Sequence, residues 1–232
     1  MRTVPARSVL GSLVLALTVS ALAACGSHDR SGVSPERTLA AAKKNLDGTS
    51  GVRIGLSTPR LPAGVNGLLG ADGIGTHAPA FTGAIKVSAS GVTADAAVIA
   101  VRHAVYARLP FTSKFVRIDP SRYGAPDPAA LMGAHGGLSS LLTSATHVQE
   151  GGKVRAGSEV LSSYTATVPG KAVSAVIPSA TSTAGFRAIF TVDDKQRLAK
   201  AVITGPFYPH AKDVTYTITF ADYGTAKRIV AP

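Results

Sequence analysis

The chain has 232 residues, of which 24 are Lys or Arg and 13 are Asp or Glu, so its formal net charge is +11. A single Cys excludes an internal disulfide and a thiol-based structural zinc site. The apolar content of 45% excludes a chain that is disordered throughout, and the length fits one β-rich domain with a short extension.

The first 24 residues have the pattern of an export signal. Arg2 and Arg7 precede a run from Val9 to Ala24 that is almost wholly apolar or small. This run is too short to span a bilayer comfortably, which favours a cleaved signal over a membrane helix. Small residues stand directly before Cys25, and this arrangement resembles the bacterial lipobox. The resemblance implies cleavage between Ala24 and Cys25 and attachment of a diacylglyceryl group to the Cys25 sulfur.

We therefore predict a lipoprotein signal peptide at residues 1–24, a lipidated Cys25 with a flexible tether over residues 25–34, and a folded domain over residues 35–232. Cleavage removes two arginines and no acidic residue, so the remaining net charge is +9. The remaining basic residues are scattered, which argues against nucleic-acid binding. Attraction to anionic lipid headgroups and simple solubility both stay open as uses of this charge.

The folded domain is predicted to begin with a helix and to continue as a β-sheet. Ser34 followed by Pro35 is typical of a helix start, and Gly48 ends the predicted helix. Alternating apolar and polar residues then predict strands. These first strands cover residues 52–56, 81–89, 96–101, 104–109 and 114–118. The glycine-rich segment 64–75 is predicted to be a mobile loop, with a lid over an apolar site as the alternative.

The second half of the domain is predicted to mix short helices with further strands. The segment from Pro128 to Ala145 has helical spacing, interrupted at His135-Gly136-Gly137, and predicts two short helices. A third short helix is predicted at residues 171–177. The predicted strands cover residues 160–168, 186–192, 198–204, 214–220 and 228–230.

The sequence offers little catalytic or metal-binding chemistry. It has no nucleophile elbow, P-loop or dinucleotide fingerprint. The six His lack the spacing of paired metal ligands, so neither a metal site nor a cofactor is predicted. Ser139 or Ser140 near His135 is the best available nucleophile and base for a hydrolase, and it is a weak candidate because the elbow is missing.

Five segments, taken in order and spacing, resemble the LppX/LprA/LprF/LprG lipoprotein family of mycobacteria and other actinobacteria. These segments cover residues 94–99, 105–109, 127–131, 197–207 and 214–224. The resemblance implies an α+β fold, in which a curved antiparallel half-barrel sheet carries helices on its concave face and encloses an apolar cavity. It implies a membrane-anchored protein that binds acylated lipids or glycolipids, helps to transport them across the cell envelope and has no enzymatic activity.

The same resemblance implies partners and a location. The lipid would be of the phosphatidylinositol-mannoside, lipoglycan or triacylglycerol type, and a membrane transporter is a further candidate partner. The protein would be anchored through Cys25 on the outer face of the cytoplasmic membrane, with the cell wall as a second location. The chain departs from the family at Arg102-His103, where relatives tend to have Asp-Gly at this turn.

Alternation along the strands assigns the walls of the expected cavity. Its sheet residues are Ile54, Leu56, Ile85, Val87, Val105, Ala107, Val160, Tyr164, Phe190 and Val202. Its helical residues are Leu138, Leu141, Leu142, Val173 and Val176. Simple core packing is the alternative for each of these residues. For the whole protein the alternatives are a structural or adhesin-like envelope lipoprotein with a solid core, and a hydrolase acting on envelope lipids.

Overall fold

A computed structural model describes residues 33–123, 125–157 and 159–232. The predicted signal peptide, Cys25 and nearly all of the tether lie outside the described residues. The segment Val33–Pro232 forms one compact unit. None of the described helices is long and apolar enough to cross a membrane.

The described residues form three α-helices and eleven strands. The helices are α1 (Pro35–Gly48), α2 (Ser140–Ser144) and α3 (Gly170–Val176). The strands of the first half are β1 (Gly51–Ser57), β2 (Gly67–Thr76), β3 (Ala80–Ala89), β4 (Val92–Val101), β5 (Ala104–Arg108) and β6 (Val116–Ile118). Those of the second half are β7 (Thr146–Ala156), β8 (Glu159–Pro169), β9 (Gly185–Val192), β10 (Leu198–Gly205) and β11 (Val214–Ala221). Short 3₁₀ turns lie at Pro120–Tyr123 and Ala130–Met132.

All eleven strands belong to one open antiparallel sheet. Its order is β6-β5-β4-β3-β2-β1-β11-β10-β9-β8-β7, so two meanders are joined where β1 pairs with β11. The two edges are protected against pairing with other chains, because β6 has only three residues and β7 carries two register shifts. The antiparallel sheet with a few helices confirms that part of the fold prediction.

The first helix follows directly from its sequence. The Ser34 hydroxyl oxygen accepts a hydrogen bond from the Arg37 backbone N–H at 3.4 Å, and Pro35 takes the first turn. Leu39, Ala42 and Leu46 are buried on one face of α1. This face packs against α2 and strands β7 and β10.

The prediction of a loop at residues 64–75 is wrong, because most of this segment forms β2, which pairs with β1 on one side and β3 on the other. Its glycines make room for large neighbouring side chains. A Cβ atom on Gly67 would lie 2.3 Å from the hydroxyl oxygen of Tyr208, and one on Gly75 would lie 2.6 Å from Cγ of Met132.

Two other predictions need correction. Strand β7 was not predicted, because its side chains are almost all exposed and show no alternation. Conversely, the predicted strand at residues 228–230 is irregular, and no strand pairs with it. The other predicted strands are confirmed, with ends that differ by a few residues. The two short helices between Pro128 and Ala145 correspond to the 3₁₀ turn Ala130–Met132 and to α2.

Candidate functional site

The buried apolar residues fall into two separate clusters. The main cluster joins the three helices to β1 and β8–β11, and the principal helix contacts with the sheet are with β7–β10. The second cluster lies on β3, β4 and β5 and consists of Phe81, Val98, Ala100, Val105, Ala107 and Ala129. It is small, and half of its members are alanines.

Most of the predicted wall residues are brought together on the expected face. The strand register aligns Tyr164, Phe190, Ala201, Ile218, Leu56, Ala71, Ile85 and Ala96 in one row across eight strands. Ile54, Tyr164, Phe190 and the five helical residues are buried in the main cluster, and Val105 and Ala107 are buried in the second. In the structure these buried residues pack against one another.

Two of the predicted wall residues are not buried on this face: one lies on the opposite face, and the other is exposed. Val202 pairs with Ile189 and Thr217, in a row that continues through Ser57, so it lies on the opposite face of the sheet. Apolar residues occupy three successive positions of β10, from Ala201 to Ile203, and alternation alone therefore chose the wrong parity. Val160 is 45% exposed, near the start of β8.

Part of the apolar face is only half-buried. Leu56, Ile85 and Val87 are neither fully exposed nor fully covered, and Val87 pairs with Leu68 on one side and Ala94 on the other. These residues lie on β1–β4, away from the strands that carry the principal helix contacts. This half of the sheet therefore offers a partly open apolar surface.

A cleft of about 600 Å³ lies at the opposite end of β3 and β4 from Val87 and Ala94. Three parts of the chain meet there: the ends of β2 to β5 with their turns, the segment that contains Asp127, and the C-terminal segment. Apolar residues form much of the lining, namely Ala78, Pro79, Ala80, Val101, Ala129, Ala130, Ile229, Val230 and Ala231. None of the predicted wall residues lines this cleft.

The lining of the cleft also contains four basic residues, which we call the basic rim. Arg102 and His103 come from the β4–β5 turn, and Lys227 and Arg228 come from the C-terminal segment. The one acidic residue in the lining is Asp127, whose carboxylate accepts a hydrogen bond from the Ala129 backbone N–H at 2.9 Å. A lining that combines apolar side chains with several cations suits an amphipathic anion.

The sequence did not predict that these two basic pairs meet in one cleft, although each pair stood out on its own. The Arg102-His103 turn stood out as a departure from the family pattern, and Lys227-Arg228 is one of the few adjacent basic pairs. They are separated by more than a hundred residues in the chain. The C-terminal segment brings them together, because after β11 it reaches the β4–β5 turn, although β4 lies four strands away from β11 in the sheet.

A tyrosine pair fixes the link between β10 and β11 onto the start of β2. The Tyr216 hydroxyl donates a hydrogen bond to the Leu68 carbonyl oxygen at 2.8 Å and accepts one from the Tyr208 hydroxyl at 2.8 Å. Burial, together with the bond to Tyr208, raises the pKa of Tyr216 well above its ordinary value. The hydroxyl therefore remains a neutral donor at physiological pH.

The candidate hydrolase residues do not form a nucleophile–base pair. Ser139 is buried, and its hydroxyl oxygen accepts a hydrogen bond from Nζ of Lys43 at 3.4 Å. The Ser140 hydroxyl donates to the Gly137 carbonyl oxygen at 2.6 Å. Within the described residues neither hydroxyl is hydrogen-bonded to His135, and no group of three or more His, Cys, Asp or Glu could hold a metal ion.

Two solved structures share this fold. LprF from Mycobacterium bovis superposes with a TM-score of 0.68 at 14% identity, over 85% of this chain and 96% of that chain. The Mycobacterium tuberculosis lipoprotein LppX gives a TM-score of 0.61 at 14% identity, over 84% of this chain and 98% of that chain. At this identity the likeness shows the fold alone. A comparison with curated proteins finds no match.

The fold thus defines a protein of the open antiparallel-sheet class found in these mycobacterial lipoproteins. The family model of the LppX_LprAFG lipoproteins matches residues 34–228, which is nearly all of the described chain. The chain belongs to the LppX_LprAFG lipoprotein family, as the sequence resemblance indicated.

Proposed function

We propose that the protein is a membrane-anchored, non-enzymatic carrier that binds an acylated lipid with an anionic headgroup and helps to transport it across the cell envelope. Membership of a lipoprotein family supports the general role. The observation that carries the proposal for this chain is the cleft, whose lining combines apolar residues with the four residues of the basic rim.

The size and chemistry of the cleft suit part of a lipid. Its volume of about 600 Å³ lies within the range of roughly 300–1,000 Å³ that is typical of small-molecule sites. Each buried methylene group of an acyl chain contributes about 0.8 kcal/mol. A phosphate at the rim would accept charge-assisted hydrogen bonds from Arg102 or Arg228.

A multi-acylated lipid needs more apolar surface than the cleft provides. Strands β3 and β4 run from the half-buried Val87 and Ala94 to the end of the sheet at the cleft, which Ala80 and Val101 line from the opposite face. An acyl chain that extends from the cleft onto the face of Val87 would pass Ala129, which belongs to both the cleft lining and the second cluster, and would have to displace that cluster. Because that cluster is small and alanine-rich, its opening costs less apolar burial than opening the main cluster.

The primary test is native mass spectrometry of a secreted form in which a cleavable leader replaces residues 1–24 and Cys25→Ser blocks acylation. Protein purified from a mycobacterial host should carry acylated lipids that organic extraction removes. Identical masses before and after extraction would contradict lipid binding. Incorporation of labelled palmitate into the wild-type chain, and its absence in Cys25→Ser, would support the anchor separately.

A cleft-filling variant tests where the lipid binds. Ala78 is exposed and lines the cleft, whereas Ala63 is exposed in the β1–β2 loop and does not. We expect Ala78→Trp to lower the lipid load severalfold, because the indole would occupy the space of an acyl chain, while Ala63→Trp leaves it unchanged. Equal lipid loads in the two folded variants would mean that the lipid does not bind in the cleft.

A charge-matched pair of double variants tests the headgroup. Lys227→Gln with Arg228→Gln removes half of the basic rim, and Lys171→Gln with Arg187→Gln removes the same charge from exposed positions outside the cleft. The first variant should lose phosphate-bearing lipids selectively and retain neutral triacylglycerols. Loss of both lipid classes to the same extent in both variants would refute headgroup recognition by this rim.

Labelling with a fluorophosphonate probe separates the carrier from a hydrolase. We expect no covalent adduct, because Ser139 is buried and Ser140 is hydrogen-bonded to a backbone carbonyl. An adduct that disappears in Ser139→Ala or Ser140→Ala would show that the protein is an enzyme and would contradict the carrier proposal.

A further inference from the structure

The loop between β5 and β6 presents an exposed aromatic side chain. Phe111 is fully solvent-exposed, and Leu109 in the same loop is 52% exposed. Val116, the first residue of the edge strand β6, is 54% exposed. An isolated apolar side chain at the surface is common, but three of them within one loop and its adjoining strand form a patch.

The backbone holds Phe111 away from the rest of the fold. The Thr112 N–H and hydroxyl both donate to the Leu109 carbonyl oxygen, at 3.2 and 2.8 Å, and close a turn with Pro110 in its second position. Phe111 occupies the third position with a φ of +65°. This position normally takes Gly or Asn, and a bulky residue there is strained. Since Phe111 gains no burial in return, the strain points to a function outside the fold.

Basic side chains neighbour these apolar residues in the chain. Arg108, Lys114, Arg117 and Arg122 lie between residues 108 and 122 and are exposed, against the single acidic Asp119. The Asp119 carboxylate accepts hydrogen bonds from the backbone N–H and the hydroxyl of Ser121. The Arg108 guanidinium lies 5.0 Å from the centre of the Phe115 ring, so it engages this second aromatic residue of the loop.

We propose that this docking patch, formed by Leu109, Phe111, Lys114, Val116 and Arg117, binds the surface of a bilayer that contains anionic lipids. An exposed aromatic ring flanked by cations combines the two contributions that hold proteins at such surfaces, apolar insertion and attraction to anionic headgroups. A single loop is far smaller than the surface of about 800 Å² per partner that a stable protein interface buries, which disfavours a protein partner.

The docking patch lies near the partly open apolar surface of the sheet. Strand β5 pairs with β4 only as far as Ala97, so the chain leaves the sheet beside the part of β4 that carries the half-buried Ala94. Docking through the patch would bring the partly open apolar surface close to the bilayer. The proposal goes beyond lipid carriage by the cleft and holds whether or not the cleft binds a lipid.

The absence of tryptophan from the chain permits a direct test. In the secreted Cys25→Ser form, Phe111→Trp introduces a single tryptophan at the tip of the patch, which can be excited selectively over the six tyrosines. Val154→Trp is the matched control, because Val154 is 45% exposed on β7 at the opposite edge of the sheet. With vesicles of phosphatidylcholine and phosphatidylglycerol in equal amounts, the emission of Phe111→Trp should shift to the blue and be quenched by brominated lipids, while that of Val154→Trp stays unchanged.

The cationic part of the patch has its own control. Lys114→Gln with Arg117→Gln, added to Phe111→Trp, should weaken partitioning onto these vesicles by roughly 25-fold, since each basic residue near an anionic surface contributes about a factor of five. The matched change Lys195→Gln with Lys212→Gln removes two exposed cations outside the patch and should have a much smaller effect. Pure phosphatidylcholine vesicles should bind the unaltered reporter only weakly.

Three outcomes would overturn the proposal. The Phe111→Trp emission could remain unchanged on anionic vesicles, or the Val154→Trp emission could shift equally. A blue shift that grows with protein concentration in the absence of vesicles would instead identify the patch as a surface for a second copy of this chain. Absence of co-purified lipid in the mass-spectrometric experiment, with vesicle docking intact, would refute only the proposed carrier function.

Discussion

Gly83 shows at the scale of single residues how closely β2 and β3 approach. A Cβ atom on Gly83 would lie 2.3 Å from the Asp72 carbonyl oxygen and 2.6 Å from Cα of Gly73. Both contacts are with backbone, which cannot move aside as a flexible side chain could. Glycine at this position is therefore required by packing, since its backbone does not adopt a positive φ.

We expect Gly83→Ala to lower the free energy of unfolding by about 2 kcal/mol, because the added methyl group forces two paired strands apart. Gly152→Ala on β7 is the control, since a Cβ atom there meets nothing within 4 Å; its effect should stay within about 0.5 kcal/mol. Urea titration of both variants measures the difference. Equal stabilities would mean that β2 and β3 are less closely packed than the structure shows.

The buried Tyr216 makes a prediction about alkaline pH. Its folded-state pKa is raised above the unfolded value of about 10, so at higher pH the unfolded state releases a proton that the folded state retains. Its contribution to stability is therefore complete below about pH 10 and declines as the pH rises above that value. In Tyr216→Phe the free energy of unfolding should fall less steeply between about pH 9 and pH 11 than in wild type. Identical slopes in urea titrations would contradict a buried, neutral hydroxyl.

At the scale of elements, two hairpin turns of the same kind differ in how well their residues suit them. Arg102 and His103 connect β4 to β5 with φ values of +52° and +61°, and Ser90 and Gly91 connect β3 to β4 with +51° and +80°. Positive φ at both positions is the pattern of a type I′ turn, which prefers Asn-Gly or Asp-Gly. The Arg102-His103 turn therefore has the usual geometry but unfavourable residues. The strained turn is the one that lines the basic cleft.

Because the strained β4–β5 turn lines the cleft, we expect that relieving its strain will stabilise the fold and weaken lipid binding. Arg102→Asn with His103→Gly should raise the free energy of unfolding by about 1 kcal/mol by relieving the strained backbone. The same change should lower the load of anionic lipid, because it removes two of the four basic side chains of the rim. Ser90→Asn, at the equivalent position of the other turn, should stabilise by a smaller amount without altering the lipid load. A double variant that binds lipid normally would show that Arg102 and His103 do not contribute to lipid binding.

The sequence could predict those elements whose own pattern decides their structure. Helix α1 has its cap and apolar stripe, and β11 alternates throughout, so both were predicted nearly to the residue. Strand β2 could not be predicted, because its glycines have low intrinsic strand propensity and are stabilised by pairing on both sides and by large side chains from elsewhere in the chain. Val202 was misassigned for a related reason: three consecutive apolar residues leave the face of a strand undetermined. The basic rim depends on contacts between distant segments, which no local pattern encodes.

At the scale of the whole molecule, the sheet is supported unequally along its width. The helices and the main cluster cover the half that contains β7–β11, whereas the half from β3 to β5 has only the second cluster. Local stability follows the amount of buried apolar surface, so strands β3–β5 should open at a lower free energy than β9–β11. The cleft and the docking patch both belong to this less supported half.

Amide hydrogen exchange can test this asymmetry and its link to ligand binding in one experiment. In the delipidated Cys25→Ser form, amides of β4 and β5 should exchange faster than those of β9 and β10, because fewer apolar contacts oppose their opening. Lipid loading should then slow exchange most strongly around Val98 and Val105, since a ligand that binds only the folded state stabilises the elements that it contacts. Uniform protection before loading would contradict the asymmetry. Protection that increases only in β8–β10 would instead place the lipid between the helices and the sheet, at the wall formed by Tyr164 and Phe190.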